Sequence, residues 1–205
     1  MPNHKSDQPN IKQKRNAYDK REKRPPKKIS ESYLHNSALY YLERFSASKK
    51  HFIFVMQRKV KRSCMHHSDQ DYDKCAEMVI ALANKFEASG LLDDKLYTNG
   101  IVTSLRRKGL SRSAIINKMH VKGISRENTL TALEYLDSEL CETPQEAEMK
   151  AAIKLAKKKR IGLYFTGEEQ DIKRSLGIFA RAGFSYQIAK SVLDMDIEEF
   201  DEYLF

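Results

Sequence analysis

Apolar residues recur every three or four positions over most of this chain, as they do along one face of a helix. The clearest series is Phe52, Met56 and Val60, although its neighbouring aromatic and β-branched residues favour a strand. We predict a helix here because no second strand-like run exists to pair with this segment. The three side chains are expected to face the core, and the pattern as a whole predicts an all-α fold.

Three Gly-apolar-Ser triplets divide the second half of the chain, at 109–111, 123–125 and 183–185. Glycine accepts the left-handed conformation that closes a helix, and the serine that follows caps the next helix. Aligning the last two triplets also brings Leu133 onto Leu193, which indicates a repeat. The prediction is a series of tandem three-helix repeats, at about 33–88, 89–140 and 145–195.

The helix predicted after Gly90 begins at Asp93 or Asp94. Adjacent carboxylates at a helix start point in different directions, so we interpret them as capping groups and not as a catalytic or metal-binding pair. Tyr97, Ile101 and Leu105 are expected to point inward. Three cations follow, where they suit the negative end of the helix dipole.

The formal net charge of +9 is concentrated at the N-terminus, where residues 1–28 hold ten Lys or Arg against three Asp or Glu, a net of +7. With Pro25-Pro26 and few apolar residues, this segment is predicted to be a disordered basic tail, and residues 29–205 to be the folded domain. We expect the tail to add affinity for nucleic acid.

No apolar run reaches the ~20 residues that cross a bilayer, and no signal peptide is evident. Cys64, Cys75 and Cys141 are irregularly spaced, which favours free thiols and a cytoplasmic protein. His66 and His67 lie near the first two cysteines, but zinc sites normally show short paired spacings, so no metal is predicted.

The glycines stand singly at helix ends, so the chain lacks a Gly-x4-Gly-Lys-Ser/Thr phosphate loop, and it contains no nucleophile-elbow sequence. We therefore predict no catalytic residue, no cofactor and no enzymatic activity.

Basic residues cluster beside helix ends in the second and third repeats. They are predicted to line one strip that meets the phosphates or acidic side chains of a partner. Scattered solubilising charge is the alternative. The residues are Arg106, Arg107, Lys108, Arg112, Lys118, Lys122, Arg126, Lys173, Arg174, Arg181 and Lys190.

The order of several motifs over residues 33–195 resembles the RecX family of bacterial recombinase regulators, which are built from three tandem three-helix repeats. The series from Leu39 to Val60 resembles the first repeat. Gly90-Leu91-Leu92-Asp93-Asp94 with Leu96-Tyr97 resembles the most recognisable motif of the family. Lys122-Gly123-Ile124 continues the second repeat, and Arg181-Ala182-Gly183-Phe184-Ser185 resembles the third.

The resemblance implies a regulator that binds in the helical groove of the RecA filament on single-stranded DNA and limits ATP hydrolysis, strand exchange and filament growth. We expect a monomer that binds single-stranded DNA with RecA or, weakly, alone. Two alternatives remain open. Arg126-Glu127-Asn128 or Tyr186-Gln187 would read bases in a helix-turn-helix transcription factor, and a helical scaffold would bind unrelated proteins.

Overall fold

A computed structural model describes residues 25–203, and the greater part of the predicted tail lies outside the described residues. The fold is all-α, as predicted, and no strand occurs in the described range. None of its helices is both long and apolar enough to cross a bilayer. The helices are α1 Glu31–Leu42, α2 Lys49–His66, α3 Tyr72–Ala88, α4 Asp94–Arg107, α5 Arg112–Val121, α6 Arg126–Leu140, α7 Pro144–Lys159, α8 Ile172–Arg181, α9 Tyr186–Asp194 and α10 Ile197–Glu202, with a 3-10 turn at Gly162–Tyr164.

The core is divided into three clusters, and each is built mainly by three consecutive helices. Helices α1–α3 enclose Phe52 and Phe86, helices α4–α6 enclose Ile115 and Leu133, and helices α7–α9 enclose Phe179. The chain is therefore a row of small helical units, hereafter the first, second and third units.

The Phe52 series lies in α2 with all three side chains buried, so the prediction of a core-facing helix is confirmed. The ring of Phe52 lies 5.8 Å from that of Phe86 in α3 and 6.4 Å from that of Tyr41 in α1. Burial against two helices outweighs the strand propensity of the neighbouring residues.

The predicted caps are confirmed. Ser111, Ser125 and Ser185 each accept a hydrogen bond from the backbone N–H three residues on, and Asp93 does the same at α4. Ser48 makes the same bond at the start of α2. A cap of this kind contributes about 1 kcal/mol.

Helix α4 matches the expected register in part. Tyr97 is buried, as expected, and Ile101 and Leu105 are partly buried against the core of the second unit. The buried face also includes the positions one residue later, Thr98, Val102 and Arg106, about 100° further around the helix. These positions are buried because α4 packs mainly against α6, and the apolar pattern within the helix does not report that contact.

The first and second units meet at a compact joint. The Ser48 hydroxyl, while capping α2, donates to the carbonyl of Lys122 at 2.5 Å. The next N–H, of Lys49, donates to the Asp94 carboxylate at 2.7 Å. Because a hydroxyl both donates and accepts, one serine ends a helix and fastens it to the next unit.

The second and third units meet through the same construction. The Ser111 hydroxyl donates to the carbonyl of Ala182 at 2.6 Å, and the N–H of Arg112 donates to the Glu148 carboxylate at 3.1 Å. Each joint therefore combines a capping serine, the following N–H and an acidic residue from the next unit. The repetition of this joint stacks the units in a regular way.

Two glycines complete the joints. Gly123 and Gly183 have φ angles of +87° and +82°, which favour glycine. A Cβ at Gly123 would lie 2.6 Å from Lys50 Cδ, and one at Gly183 would lie 2.8 Å from Ser111 Oγ. Because glycine has no side chain, the neighbouring units can approach each other closely at these two positions.

Replacing Gly183 by alanine is expected to lower the free energy of unfolding by about 2–3 kcal/mol, through left-handed strain and a weakened Ser111 hydrogen bond. Gly100 is the matched control, because it lies within α4 with nothing within 4 Å of an added Cβ. Gly100→Ala is expected to stabilise the protein by about 1 kcal/mol. Urea unfolding followed by circular dichroism compares the two, and equal effects would contradict the role given to the joint.

Packing extends slightly beyond the predicted boundary at Ile29. The Gln70 side chain holds both the N–H and the carbonyl of Ile29, each at 2.9 Å. Ser63 donates to the carbonyl of Lys27 at 2.8 Å, and His67 Nε2 lies 2.8 Å from the carbonyl of Pro26. The α2–α3 turn thus fixes the chain from Pro26 onward.

Candidate protein and nucleic-acid interface

Arg106 is buried, with 7% of its surface exposed, in an ion-pair network that links three helices. Its Nε and Nη2 donate to the two carboxylate oxygens of Asp137 in α6 at 3.0 and 2.8 Å. Its Nη1 donates to Glu148 in α7 at 2.7 Å and to the carbonyl of Leu110 at 3.2 Å. Arg106 therefore fastens the second unit to the third.

Burial opposes the charged form of Arg106, but hydrogen bonds to Asp137 and Glu148 outweigh this effect and raise the pKa of the guanidinium above its ordinary value. The group stays charged, and four of its five N–H donors are occupied. The assignment of Arg106 to an exposed binding strip is accordingly corrected: it is a structural residue, and a partner does not reach it.

Arg107 and Lys108 are exposed at the end of α4, one and two residues after the buried arginine. The turn that follows is pressed against α7, because a Cβ on Gly109 would lie 2.8 Å from Lys154 Cβ. This contact places the backbone of the turn beside a further exposed lysine. The two predicted cations thus stand at the edge of the contact between the second and third units.

Arg112 and Arg126 line a cleft of about 480 Å³ between the second and third units, with Ile116 and Ile188 among its apolar lining residues. The guanidinium of Arg112 already pairs with Glu134 at 2.8 Å. Arg126 is exposed at the start of α6 and forms no ion pair within the described part of the chain. Of the two, Arg126 is the better placed for a partner.

The remaining second-unit cations flank the first joint. Lys118 is exposed on α5, and Lys122 is half-buried directly after it. The carbonyl of Lys122 receives the Ser48 hydrogen bond, so its backbone is part of the joint while its side chain is partly accessible. Lys122 therefore lies at the opposite joint from Arg112.

Helix α8 presents its cations on its outer face. Lys173, Arg174 and Arg181 are exposed, and the last two, seven residues apart, lie on the same side about two turns from each other. Arg181 Nη1 would lie 3.3 Å from a Cβ at Gly177, so its guanidinium extends back along the helix. Lys190 is exposed on α9 and lines a separate surface cleft.

The residues proposed as base readers lie at helix N-termini. Arg126, Glu127 and Asn128 are exposed in the first turn of α6, while Tyr186 and Gln187 are exposed at the start of α9. The backbone N–H of Asn128 is committed to the Ser125 cap, but its side chain is accessible. Both groups are therefore exposed at the starts of their helices.

Two of the four side chains considered for zinc, His67 and Cys75, have other environments. The imidazole of His67 contacts the carbonyl of Pro26, and Cys75 is buried, where desolvation and the neighbouring Cys64 raise the pKa of its thiol. Among the side chains that the structure describes, no three from His, Cys, Asp or Glu are grouped to hold a metal ion.

The pattern within single helices did not identify three acidic partners, Asp94, Asp137 and Glu148. Their signal in the sequence is weak, because nothing within the helix itself sets these carboxylates apart from ordinary acidic residues. For Arg106 a signal existed, since it falls four residues after Val102 on the buried face of α4. A cation in line with core residues indicates a buried acidic partner.

Comparisons with known proteins agree with this architecture. The chain matches no protein-family model. It is 38% identical over 186 residues to a regulatory protein RecX of Myxococcus xanthus (strain DK1622), covering 88% of this chain and 96% of that protein. A regulatory protein RecX of Agrobacterium fabrum (strain C58 / ATCC 33970) is 27% identical over 175 residues, covering 84% and 88% of the two chains.

Solved structures support the fold. The crystal structure of RecX from Lactobacillus salivarius matches with a TM-score of 0.56 and 20% identity, covering 84% of this chain and 97% of that one. A second crystal structure of a regulatory protein RecX matches with a TM-score of 0.56 and 19% identity, covering 80% and 72% of the two chains. The arrangement of helical units and the identity to the Myxococcus protein along nearly its whole length show that the chain belongs to the RecX family of regulatory proteins.

Proposed function

We propose that this protein is a cytoplasmic regulator that binds the RecA filament on single-stranded DNA and inhibits its ATPase and strand-exchange activities. The observation that carries the proposal is the 38% identity to a regulatory protein RecX over 88% of the chain. The protein would act by binding and not by chemistry.

The form of the molecule suits a long partner. Three units are fastened by two joints of the same construction, and the buried Arg106 network adds rigidity to the second joint. A body whose units are already ordered loses less conformational freedom on binding than a flexible one. A monomer of this kind can extend across neighbouring subunits of a filament.

Exposed cations on the second and third units supply the proposed contacts. Arg107 and Lys108 lie at one edge, Arg126 lines the cleft, and Arg174 and Arg181 share the outer face of α8. Such cations attract acidic side chains and phosphates and also speed encounter. The same cations would bind acidic side chains of the filament protein and phosphates of the DNA within the filament.

The direct test is the steady-state ATPase rate of RecA assembled on single-stranded DNA while this protein is titrated in. We expect the rate to fall with saturation, and the half-inhibiting concentration to rise with salt because exposed charges are screened beyond ~8 Å at physiological ionic strength. An unchanged rate at saturating protein would overturn the proposal. Tight binding to one duplex sequence without an effect on RecA would support the helix-turn-helix alternative.

A further inference from the structure

The outer face of α2 carries a second regular series of residues. Lys50, Phe54, Arg58, Lys61 and Met65 are spaced by four, four, three and four positions, so they lie in one line along the helix, and all five are exposed. The series is offset by two residues from the buried Phe52 series, which places it about 200° around the helix. We call these five residues the outer face of α2.

This face is strongly positive. Helix α2 contains six Lys or Arg and no Asp or Glu. Lys49 pairs with Glu87 at 2.6 Å, and the ammonium of Lys59 lies 5.3 Å from the centre of the Tyr33 ring. The three cations of the outer face form no ion pair with any residue between 25 and 200. Their charge is available to a partner.

An aromatic ring lies within this positive surface. Phe54 is 55% exposed, although burial would stabilise so apolar a side chain. The Arg58 guanidinium lies 5.8 Å from the centre of the ring, and the His51 ring lies 6.2 Å from it. Exposed aromatic rings among cations are the arrangement on which unpaired bases stack while the backbone phosphates are neutralised.

Basic sequence continues at both ends of the face. At its start, the Lys50 side chain lies against Gly123, next to Lys122 of the second unit. At the other end, His67 holds Pro26, and the 24 residues at the N-terminus contain eight Lys or Arg against three Asp or Glu. A helix of this length extends about 27 Å, which is enough for several phosphates.

We propose that the outer face of α2 binds single-stranded DNA directly, with phosphates on Lys50, Arg58 and Lys61 and a base stacked on Phe54. Unpaired bases are required because the ring of Phe54 needs an open base face. We choose DNA over RNA because the proposed function places this protein on single-stranded DNA, and on this choice alone the inference rests on the proposed function. The site goes beyond filament regulation, because it needs no RecA.

The test is fluorescence anisotropy of a labelled oligo-dT with the full chain and no RecA, over a range of salt concentrations. Phe54→Ala is expected to weaken oligo-dT binding about tenfold while leaving binding to a duplex of equal length unchanged. The triple variant Lys50→Ala, Arg58→Ala, Lys61→Ala is expected to reduce the slope of log affinity against log salt by about 2, because each phosphate contact contributes about 0.7 on a single strand.

The matched control variants carry the same kinds of substitution at positions outside the outer face of α2. The variant Tyr135→Ala removes another exposed aromatic side chain. The triple variant Lys95→Ala, Lys158→Ala, Lys159→Ala removes the same charge from exposed positions on α4 and α7. If the outer-face and control variants bind equally, or if Phe54→Ala weakens duplex binding to the same extent, the proposal is overturned. Tighter binding to oligo-rU than to oligo-dT would overturn the choice of DNA.

A loss of RecA inhibition with oligo-dT affinity intact would assign the face to a protein and overturn the nucleic-acid proposal. Because affinity is measured without RecA, loss of affinity in the variants supports the site even if the wild-type protein leaves the RecA ATPase unchanged. The two proposals therefore fail independently.

Discussion

Replacing Arg106 by alanine is expected to lower the free energy of unfolding by about 3–5 kcal/mol, the usual cost of removing one partner from a buried ion pair. Asp137, with 3% of its side chain exposed, and Glu148 would each lose a buried partner that neutralises them. Urea unfolding followed by circular dichroism measures the loss. It should be the largest among substitutions of the eleven predicted interface cations.

Arg107→Ala is the matched control, because it removes the same side chain one position later, where it is exposed. It should change stability by no more than about 0.5 kcal/mol. The double variant Arg106→Met, Asp137→Leu should recover much of the loss, since no unpaired charge remains at that pair. Equal losses in Arg106→Ala and Arg107→Ala would contradict the network described above.

Charge reversal at Arg107, Lys122 and Arg181 is expected to raise the half-inhibiting concentration in the RecA ATPase assay by roughly a hundredfold. Like charges across an interface cost several kcal/mol, and each 1.4 kcal/mol corresponds to a factor of ten. Their side chains form no ion pair within residues 25–200, so helical content should not change. The triple glutamate variant is compared with the wild-type protein at one salt concentration.

The control for this experiment reverses Lys95, Lys158 and Lys159, which are exposed and lie outside the predicted strip. Both triple variants change the net charge equally, so a general effect of charge would weaken inhibition by both. If the two variants inhibit RecA as well as the wild-type protein does, the strip is not the binding surface, although membership of the RecX family is unaffected.

The sequence by itself was sufficient to predict the helices and the residues at their ends. Phe52, Met56 and Val60 reveal a buried face, and Asp93 and Ser111 reveal caps, because both signals depend on residues within one or two turns. The tandem fold followed from the order of these local signals. The cations of the predicted strip were chosen by the same local reasoning. Sequence position shows that a cation lies beside a helix end, but it does not show which residues from other helices surround it.

The tertiary structure decided which of two adjacent arginines is buried and which is exposed. It also gave the capping Ser111 a second bond to the third unit, made the Asp94 carboxylate the acceptor for the N–H of Lys49, and left Phe54 exposed. The periodicity of apolar residues shows which side of a helix is apolar. The contacts of these side chains depend instead on which residues of the neighbouring helices and units pack beside them. Arg106 and Asp137 are 31 residues apart in the sequence, and Ser111 and Ala182 are 71 residues apart. Only folding brings these hydrogen-bonding partners together.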